Sequence, residues 1–189
     1  MRLDHFPKAR QREIDGPARK RFFAATVEIC ESNGAGETIT HSISNSNMGA
    51  SDAAAINPVT YPIAPSTNTY EKWQRFHVTA MGGSSKIDNL KVWRTGSLAS
   101  HTTHVTNARE SSYGGAATYA TPTRSSSSVA GQTMPSSAPS GANLGIGGAL
   151  NGNLTATGYS DYLVHQIQAD GSAVAGASVT MNYQYDETA

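Results

Sequence analysis

The chain has 189 residues, of which 15% are charged, and its 14 basic and 14 acidic residues cancel. A chain of this length can bury a hydrophobic core of its own, so it needs neither a metal nor a disulfide in order to fold. The single cysteine, Cys30, excludes an intramolecular disulfide and a zinc site made of cysteines alone. We expect Cys30 to be a small buried apolar residue.

The N-terminal segment is basic. Residues 1–21 carry seven basic and three acidic residues, a net charge of +4, and the rest of the chain carries seven and eleven, a net charge of −4. The basic residues are Arg2, Lys8, Arg10, Arg12, Arg19, Lys20 and Arg21. Because Pro7 and the pair Gly16-Pro17 interrupt any long helix, we predict an extended arm over residues 1–22.

Three roles for this arm remain open at the level of sequence. It could dock on an acidic protein surface, since its proline and glycine breaks suit an extended segment. It could neutralise phosphates of a nucleic acid without reading the base sequence. It could also be a solvated tail. We favour docking on protein.

Alternating side chains predict strands at the start of the body. Residues 22–31 alternate apolar with small or polar side chains, and residues 37–44 repeat this pattern. A period of two is typical of a half-buried strand. Residues 44–69 contain three prolines and many turn-forming residues, and they predict an ordered loop.

The densest apolar region lies in the middle of the chain. Residues 70–81 and 86–96 both alternate, and a short connection with two glycines separates them. This pattern predicts a β-hairpin at the heart of the fold. Trp73 and Trp93 are expected to lie in the core, where such large side chains are stabilising.

The remaining strands are predicted near the end of the chain. Residues 97–157 are rich in Ser, Thr, Gly and Ala, with scattered apolar residues that would pin loops to a sheet. Residues 159–169 give a strong strand signal, and residues 177–187 alternate cleanly. Since parallel strands need crossover helices, we predict an all-β fold, an antiparallel β-sandwich or jelly roll with long Ser/Gly/Ala-rich loops, over residues 23–189.

Catalytic and metal-binding motifs are weak. His101 and His104 form the one close histidine pair, but a spacing of three places them on opposite faces of a strand. His41, His77 and His165 fall in predicted strands, where an outward-facing or hydrogen-bonded histidine is ordinary. The chain lacks the Gly-x-Ser-x-Gly turn of serine hydrolases. We therefore expect no enzyme, no catalytic residue, no cofactor and no metal.

Several stretches resemble a group of small virion structural proteins of tailed bacteriophages. They are NTYEKWQRFHVTAMGGSSKIDNLKVWRTG, ATYATPT, ANLGIGGALNGNLTATGYSDYLVHQIQAD and VTMNYQYDE, and the resemblance runs from about Ser42 to Glu187. The resemblance covers most of the body but not the arm. It implies a particle component with no catalytic residues to transfer.

The resemblance also implies partners and a location. We expect the major capsid protein and neighbouring virion subunits as partners, and a homo-oligomer for which a trimer would suit lattice symmetry. Nucleic acid is a less favoured partner, and we expect neither a secretion signal nor a membrane span. The expected location is the virion, assembled in the host cytoplasm. Capsid decoration, a minor capsid role, the neck and the tail all remain open, and we favour the capsid.

Two other classes of function compete with this one. A β-sandwich can bind carbohydrate through exposed aromatic side chains in its loops, and the candidates are Tyr61, Tyr70, Tyr113, Tyr119 and Tyr159. Each of them could equally anchor a loop. A hydrolase hidden in the Ser/Gly-rich loops is the least favoured class.

Overall fold

The computed structural model describes residues 24–125 and 131–189, so the predicted arm over residues 1–22 lies outside the described residues. The described residues form ten strands and no helix. The strands are β1 (Thr26–Asn33), β2 (Thr38–Thr40), β3 (Lys72–Ala80), β4 (Lys86–Thr95), β5 (Thr102–Thr106), β6 (Gln132–Thr133), β7 (Asn153–Leu154), β8 (Gly158–Tyr159), β9 (Leu163–Ala169) and β10 (Thr180–Thr188).

The strands make two antiparallel sheets that pack face to face. In the described part of the chain, the larger sheet has seven strands in the order β2-β1-β3-β9-β5-β6, with β8 also paired to β3. The smaller sheet has three strands in the order β10-β4-β7. The predicted all-β antiparallel sandwich is confirmed, and its jelly-roll connectivity stays a prediction.

The predicted central hairpin is wrong. Strand β3 pairs with β1, β8 and β9, whereas β4 pairs with β10 and β7 in the other sheet. The connection between β3 and β4, with Gly82 at a φ of 57°, therefore crosses from one sheet to the other. Phe76 and Val78 lie in one core cluster with Leu90 and Val92. The alternating pattern indicates which side chains of a strand are buried, but not which strand lies beside it. Two strands from opposite sheets that share a core show the same alternation as two neighbours in one sheet.

A bulge in β4 brings a third apolar side chain into this core. Asn89 has a φ of 51°, and the register with β10 shifts beside it. Asparagine is one of the few residues that occupy this left-handed conformation readily. Because of the bulge, Ile87 and Leu90 are both buried although they are three positions apart in the strand.

One end of the space between the sheets is polar. Lys72 and Glu31 are both buried, and Lys72 Nζ lies 2.7 Å from Glu31 Oε1. Gln74 Nε2 donates to the other oxygen of Glu31 at 2.9 Å, and Tyr183 OH from the smaller sheet donates to Gln74 Oε1 at 2.5 Å. His165 Nε2 lies 3.1 Å from the same Gln74 oxygen. The network thus connects the two sheets by hydrogen bonds.

The network ends in a pair of histidines. His165 Nε2 must donate to Gln74, because that amide oxygen can only accept. In the neutral imidazole, His165 Nδ1 then accepts a hydrogen bond from His104 Nε2, 2.9 Å away. This leaves His104 Nδ1 as a buried acceptor without a partner in the described residues.

A second apolar cluster covers the other face of the larger sheet. Trp73, Tyr162 and Val164 are buried there, and Tyr119 packs on Trp73 edge to face with ring centroids 5.3 Å apart. Trp73 is therefore buried, as expected, but outside the space between the sheets. Trp93 is only partly buried, so the expectation of a core position for it is wrong.

The segment between β2 and β3 is a long ordered loop. Tyr61 O accepts a hydrogen bond from Ala50 N at 2.9 Å, and Gly49 O accepts one from Tyr70 N at 2.9 Å. Ile56 is buried beneath the loop. The tip, residues 57–62, is exposed along its whole length.

Candidate functional site

Four side chains of metal-ligand type converge beside the first strand. They are Glu28, Cys30, His41 and His77, and their ligand atoms lie within 4.8 Å of one another. Glu28 and Cys30 are two residues apart on β1, so they point to the same face of the sheet. His77 on β3 is directly opposite Glu28 in the register, and His41 follows β2 by one residue.

This face is the one turned away from the smaller sheet. Val27 and Ile29 alternate with the site residues on β1 and pack against the core between the sheets. Cys30 is fully buried, whereas the side chain of His41 is 50% exposed. The cluster is therefore closed on the sheet side and open beside His41.

Glu28 is the centre of the hydrogen bonding. Its Oε1 lies 2.7 Å from His41 Nδ1 and 2.7 Å from His77 Nδ1, so both nitrogens carry the proton that the carboxylate accepts. Its Oε2 accepts a hydrogen bond from Ser42 Oγ. Cys30 Sγ lies 3.5 Å from Glu28 Oε1 and 3.3 Å from His41 Nδ1.

These contacts shift two pKa values in opposite directions. The hydrogen bond from Ser42, followed by those from His77 and His41, lowers the pKa of Glu28 to about 2. Burial, followed by the nearby charge of Glu28, raises the pKa of the Cys30 thiol to about 12. The carboxylate is therefore ionised and the thiol is protonated at neutral pH.

The backbone and two aromatic rings hold the site in place. Ser42 has a φ of 51°, an uncommon conformation for serine, and it brings the hydroxyl to Glu28. The His77 ring stacks on Tyr159 with centroids 4.0 Å apart and planes 9° apart. The Arg75 guanidinium carbon lies 4.0 Å from the Tyr159 ring centre and 4.3 Å from that of Tyr162.

The geometry does not form a nucleophilic relay. In such a relay, histidine contacts the nucleophile through one ring nitrogen and the orienting carboxylate through the other. Here the thiol of Cys30 and the carboxylate of Glu28 both approach His41 at Nδ1. What the arrangement offers instead is one sulfur, two nitrogens and one oxygen that converge on a small volume.

The histidine pair considered in the sequence does not form a site. His101 is exposed in a turn, where its Nδ1 lies 3.1 Å from Asp170 Oδ2. His104 is buried and bonds His165. Only His104 lies in β5, and His101 lies in the turn before that strand, so the expected placement on opposite faces of one strand does not apply.

The candidate carbohydrate-binding tyrosines have different surroundings. Tyr119 OH donates to Gly34 O at 2.7 Å, and Tyr159 lies between His77 and Arg75. These two side chains anchor the structure. Tyr61 and Tyr113 are exposed. The basic residues of the arm, from Arg2 to Arg21, lie outside the described residues.

Sequence reasoning missed the four-residue cluster. The local signal is the spacing Glu28-x-Cys30, which puts two ligand types on one face of a strand. His77 reaches them only through the register of β1 with β3, and His41 only through the turn after β2. Neither neighbour is visible from spacing along the chain.

Comparisons with known proteins do not add a family to this description. No family model, curated protein or solved structure matches the chain. The described residues contain no helix that is long and apolar enough to cross a membrane. The class that the structure itself defines is an antiparallel β-sandwich with a partly polar core and a Glu-Cys-His-His cluster on the outer face of its larger sheet.

Proposed function

We propose that this chain is a non-enzymatic structural component of a tailed-phage virion, which docks on the assembled capsid as a decoration or minor capsid protein. Its partners are the major capsid protein and neighbouring virion subunits, and the basic arm over residues 1–22 is the attachment element. The resemblance over residues 42–187 suggests the class. One feature of the fold supports a docking role, the exposed loop tip at residues 57–62.

This tip presents apolar side chains on a fixed base. Val59 is 87% exposed and Tyr61 is 44% exposed, and Pro58 and Pro62 beside them are exposed too. Turn hydrogen bonds from Thr60 N and Tyr61 N to Asn57 O, both 3.0 Å, shape the tip. An apolar surface that is ordered and exposed is typical of a protein contact, because little conformational entropy is lost when it binds.

Charge supports the same proposal. The body carries a net charge of −4 and the arm +4. The basic arm is attracted to its own acidic body as well as to an acidic partner. It therefore binds the partner only where the partner attracts it more strongly than the body does. Because the arm and the loop tip belong to one chain, simultaneous contact of both with the shell would bind more tightly than either contact alone.

The site geometry supports a non-enzymatic role. The contacts of Cys30 and Glu28 with the same nitrogen of His41 give no relay through the ring. A carbohydrate-binding module has less support, since Tyr119 and Tyr159 are engaged in packing rather than free to stack on a sugar.

The copy number of the protein in purified particles tests this proposal. Quantitative peptide mass spectrometry on virus particles from the source of the sequence would give its ratio to the major shell protein. A ratio near one, or a simple lattice fraction of one, is expected for capsid decoration. A very small ratio would instead place the protein at the neck or tail, and its absence from particles would contradict a virion role.

Docking of purified variants on assembled heads tests the two contact elements. Deletion of residues 2–22, and separately the double substitution of Val59→Ser and Tyr61→Ser, should each weaken docking. Val174→Ser is the matched control, since Val174 is also an exposed valine at 58%. Saturation of heads by the deleted chain would refute the arm as attachment element.

A further inference from the structure

We propose that the outer-face cluster of Glu28, Cys30, His41 and His77 binds one zinc ion. The inference rests on the geometry of these four residues and is independent of the proposed virion role. Their ligand atoms lie within 4.8 Å of one another and come from three separate elements. A site built from three elements is formed by folding, rather than by residues that are neighbours in sequence.

The two distances from the sulfur fit a tetrahedral ion. Zinc–sulfur bonds of about 2.3 Å and zinc–nitrogen or zinc–oxygen bonds of about 2.0–2.1 Å place neighbouring ligand atoms about 3.3–3.6 Å apart. Cys30 Sγ lies 3.3 Å from His41 Nδ1 and 3.5 Å from Glu28 Oε1. The two 2.7 Å contacts of Glu28 with the histidines are hydrogen bonds, and they must widen by about 0.6 Å when the ion replaces their protons.

Ligand chemistry favours zinc over calcium and magnesium. Calcium and magnesium prefer oxygen ligands alone, whereas thiolate and imidazole suit zinc. On binding, the Cys30 thiol releases its proton to solvent, and each imidazole carries its proton on Nε2 so that Nδ1 can coordinate. The two charges of the ion are then balanced by the thiolate of Cys30 and the carboxylate of Glu28.

Neighbouring residues keep the ligands oriented. Ser42 Oγ holds the second oxygen of Glu28, and the stacked ring of Tyr159 fixes the plane of His77. Such outer contacts strengthen metal sites because they lower the entropy lost on coordination. Four protein ligands complete a tetrahedral shell, so the ion would be structural and would tie β1, β3 and the turn after β2 together.

Cobalt titration of the untagged, metal-free full-length protein tests this site. Co²⁺ takes the same tetrahedral geometry and reports its ligands in the absorption spectrum. We expect one Co²⁺ per chain, a thiolate-to-cobalt charge-transfer band, the intense visible bands of a tetrahedral ion, and displacement by Zn²⁺. The absence of one-to-one binding would overturn the proposal.

Three variants locate the ion. Cys30→Ser should abolish the charge-transfer band, and His41→Ala should weaken the affinity by at least about tenfold. His101→Ala is the matched control, since its side chain is 54% exposed and lies beside a carboxylate, as the half-exposed His41 does. A charge-transfer band that persists in Cys30→Ser, or equal weakening in both histidine variants, would refute the site. Because His41 is half exposed, its variant should fold even if Cys30→Ser does not.

Discussion

Lys72 and Glu31 form an ion pair that is almost completely removed from water, with side chains 1% and 0% exposed. Lys72 Nζ also donates to Ala53 O at 2.7 Å. Two charges in such a place are tolerated because each is neutralised and hydrogen-bonded by the other. Removal of one partner would leave the other as a buried charge without its counter-ion.

We therefore predict that Lys72→Ala lowers the free energy of unfolding by about 3–5 kcal/mol. The control is Lys86→Ala, which breaks the more exposed pair of Lys86 with Asp88 and should cost at most about 1 kcal/mol. Urea unfolding of the two variants and the unmodified protein measures the difference. Equal losses in the two variants would contradict the assignment of a special role to the buried pair.

The buried histidines make stability depend on pH. Burial and the nearby Arg94 lower the pKa of His104 from 6.5 to about 4. Burial, with His104 and Lys72, lowers the pKa of His165 as well. Between pH 4 and pH 6.5 the unfolded chain therefore binds more protons than the folded chain. The free energy of unfolding is highest above pH 6.5 and falls as the pH is lowered towards 4.

His104→Gln removes one of these titrations and keeps an amide N–H that can donate to His165. Between pH 6.5 and 4, the free energy of unfolding of the unmodified protein should fall by about 3 kcal/mol more than that of the variant. This follows from about 1.36 kcal/mol per pKa unit. Urea unfolding at several pH values in this range gives the two slopes. Parallel slopes would show that His104 does not carry the effect.

At the scale of the strand, the bulge at Asn89 decides which side chains of β4 reach the core. A β-branched residue is strained at its φ of 51°, so we predict that Asn89→Val destabilises the protein by about 1–2 kcal/mol. Asn89→Gly should be much milder, since glycine adopts this conformation freely. Thermal unfolding of the two variants and the unmodified protein measures the difference in stability.

Gln184→Val on the neighbouring strand provides the control for this prediction. Gln184 in β10 is exposed and pairs with Lys91 of β4, so the same replacement by valine should change stability by no more than about 0.5 kcal/mol. If Asn89→Val were as mild as this control, the bulge would not depend on the residue at position 89.

The strands themselves could be predicted from the sequence much better than their partners. Apolar runs and alternation located β1, β3, β4, β9 and β10, although β9 is buried on both faces. Alternation also predicted a hairpin of β3 with β4, since it reports faces and says nothing about neighbours. The polar residues between the sheets were missed for a related reason. Lys72 and Gln74 follow the same alternation as Phe76, but residue type alone suggests that they face water.

The candidate site was harder still to predict. Its four ligands occupy two strands and a turn, and the distance along the chain from Glu28 to His77 is 49 residues. Only the pairing of β1 with β3 places them side by side. A search for close spacings favours His101 and His104, of which the first is exposed in a turn and the second is buried in β5.

For the molecule as a whole, the opposite charges of arm and body predict how docking responds to salt. The screening length falls from about 10 Å at 0.1 M salt to about 3 Å at 1 M. Docking of the full chain on assembled heads should therefore weaken severalfold over this range. Residual docking of the chain that lacks residues 2–22 should change little, because the apolar tip at residues 57–62 carries no charged residue.

Sedimentation of heads with bound protein at several salt concentrations measures both affinities. Treatment with nuclease distinguishes a protein surface from exposed nucleic acid as the acidic partner. Insensitivity of the full chain to salt would contradict an electrostatic role for the arm.

The pairing of β10 with β4 has a consequence for synthesis on the ribosome. Asn182 on β10 lies opposite Trp93 on β4, and Ala25 N donates to Glu187 Oε1 at 3.0 Å. The smaller sheet therefore lacks one of its three strands until translation has passed Thr188, and until then one side of the nascent core has no cover. Unfinished chains would remain open to proteases and chaperones, so that only chains with a complete β10 would reach the folded state.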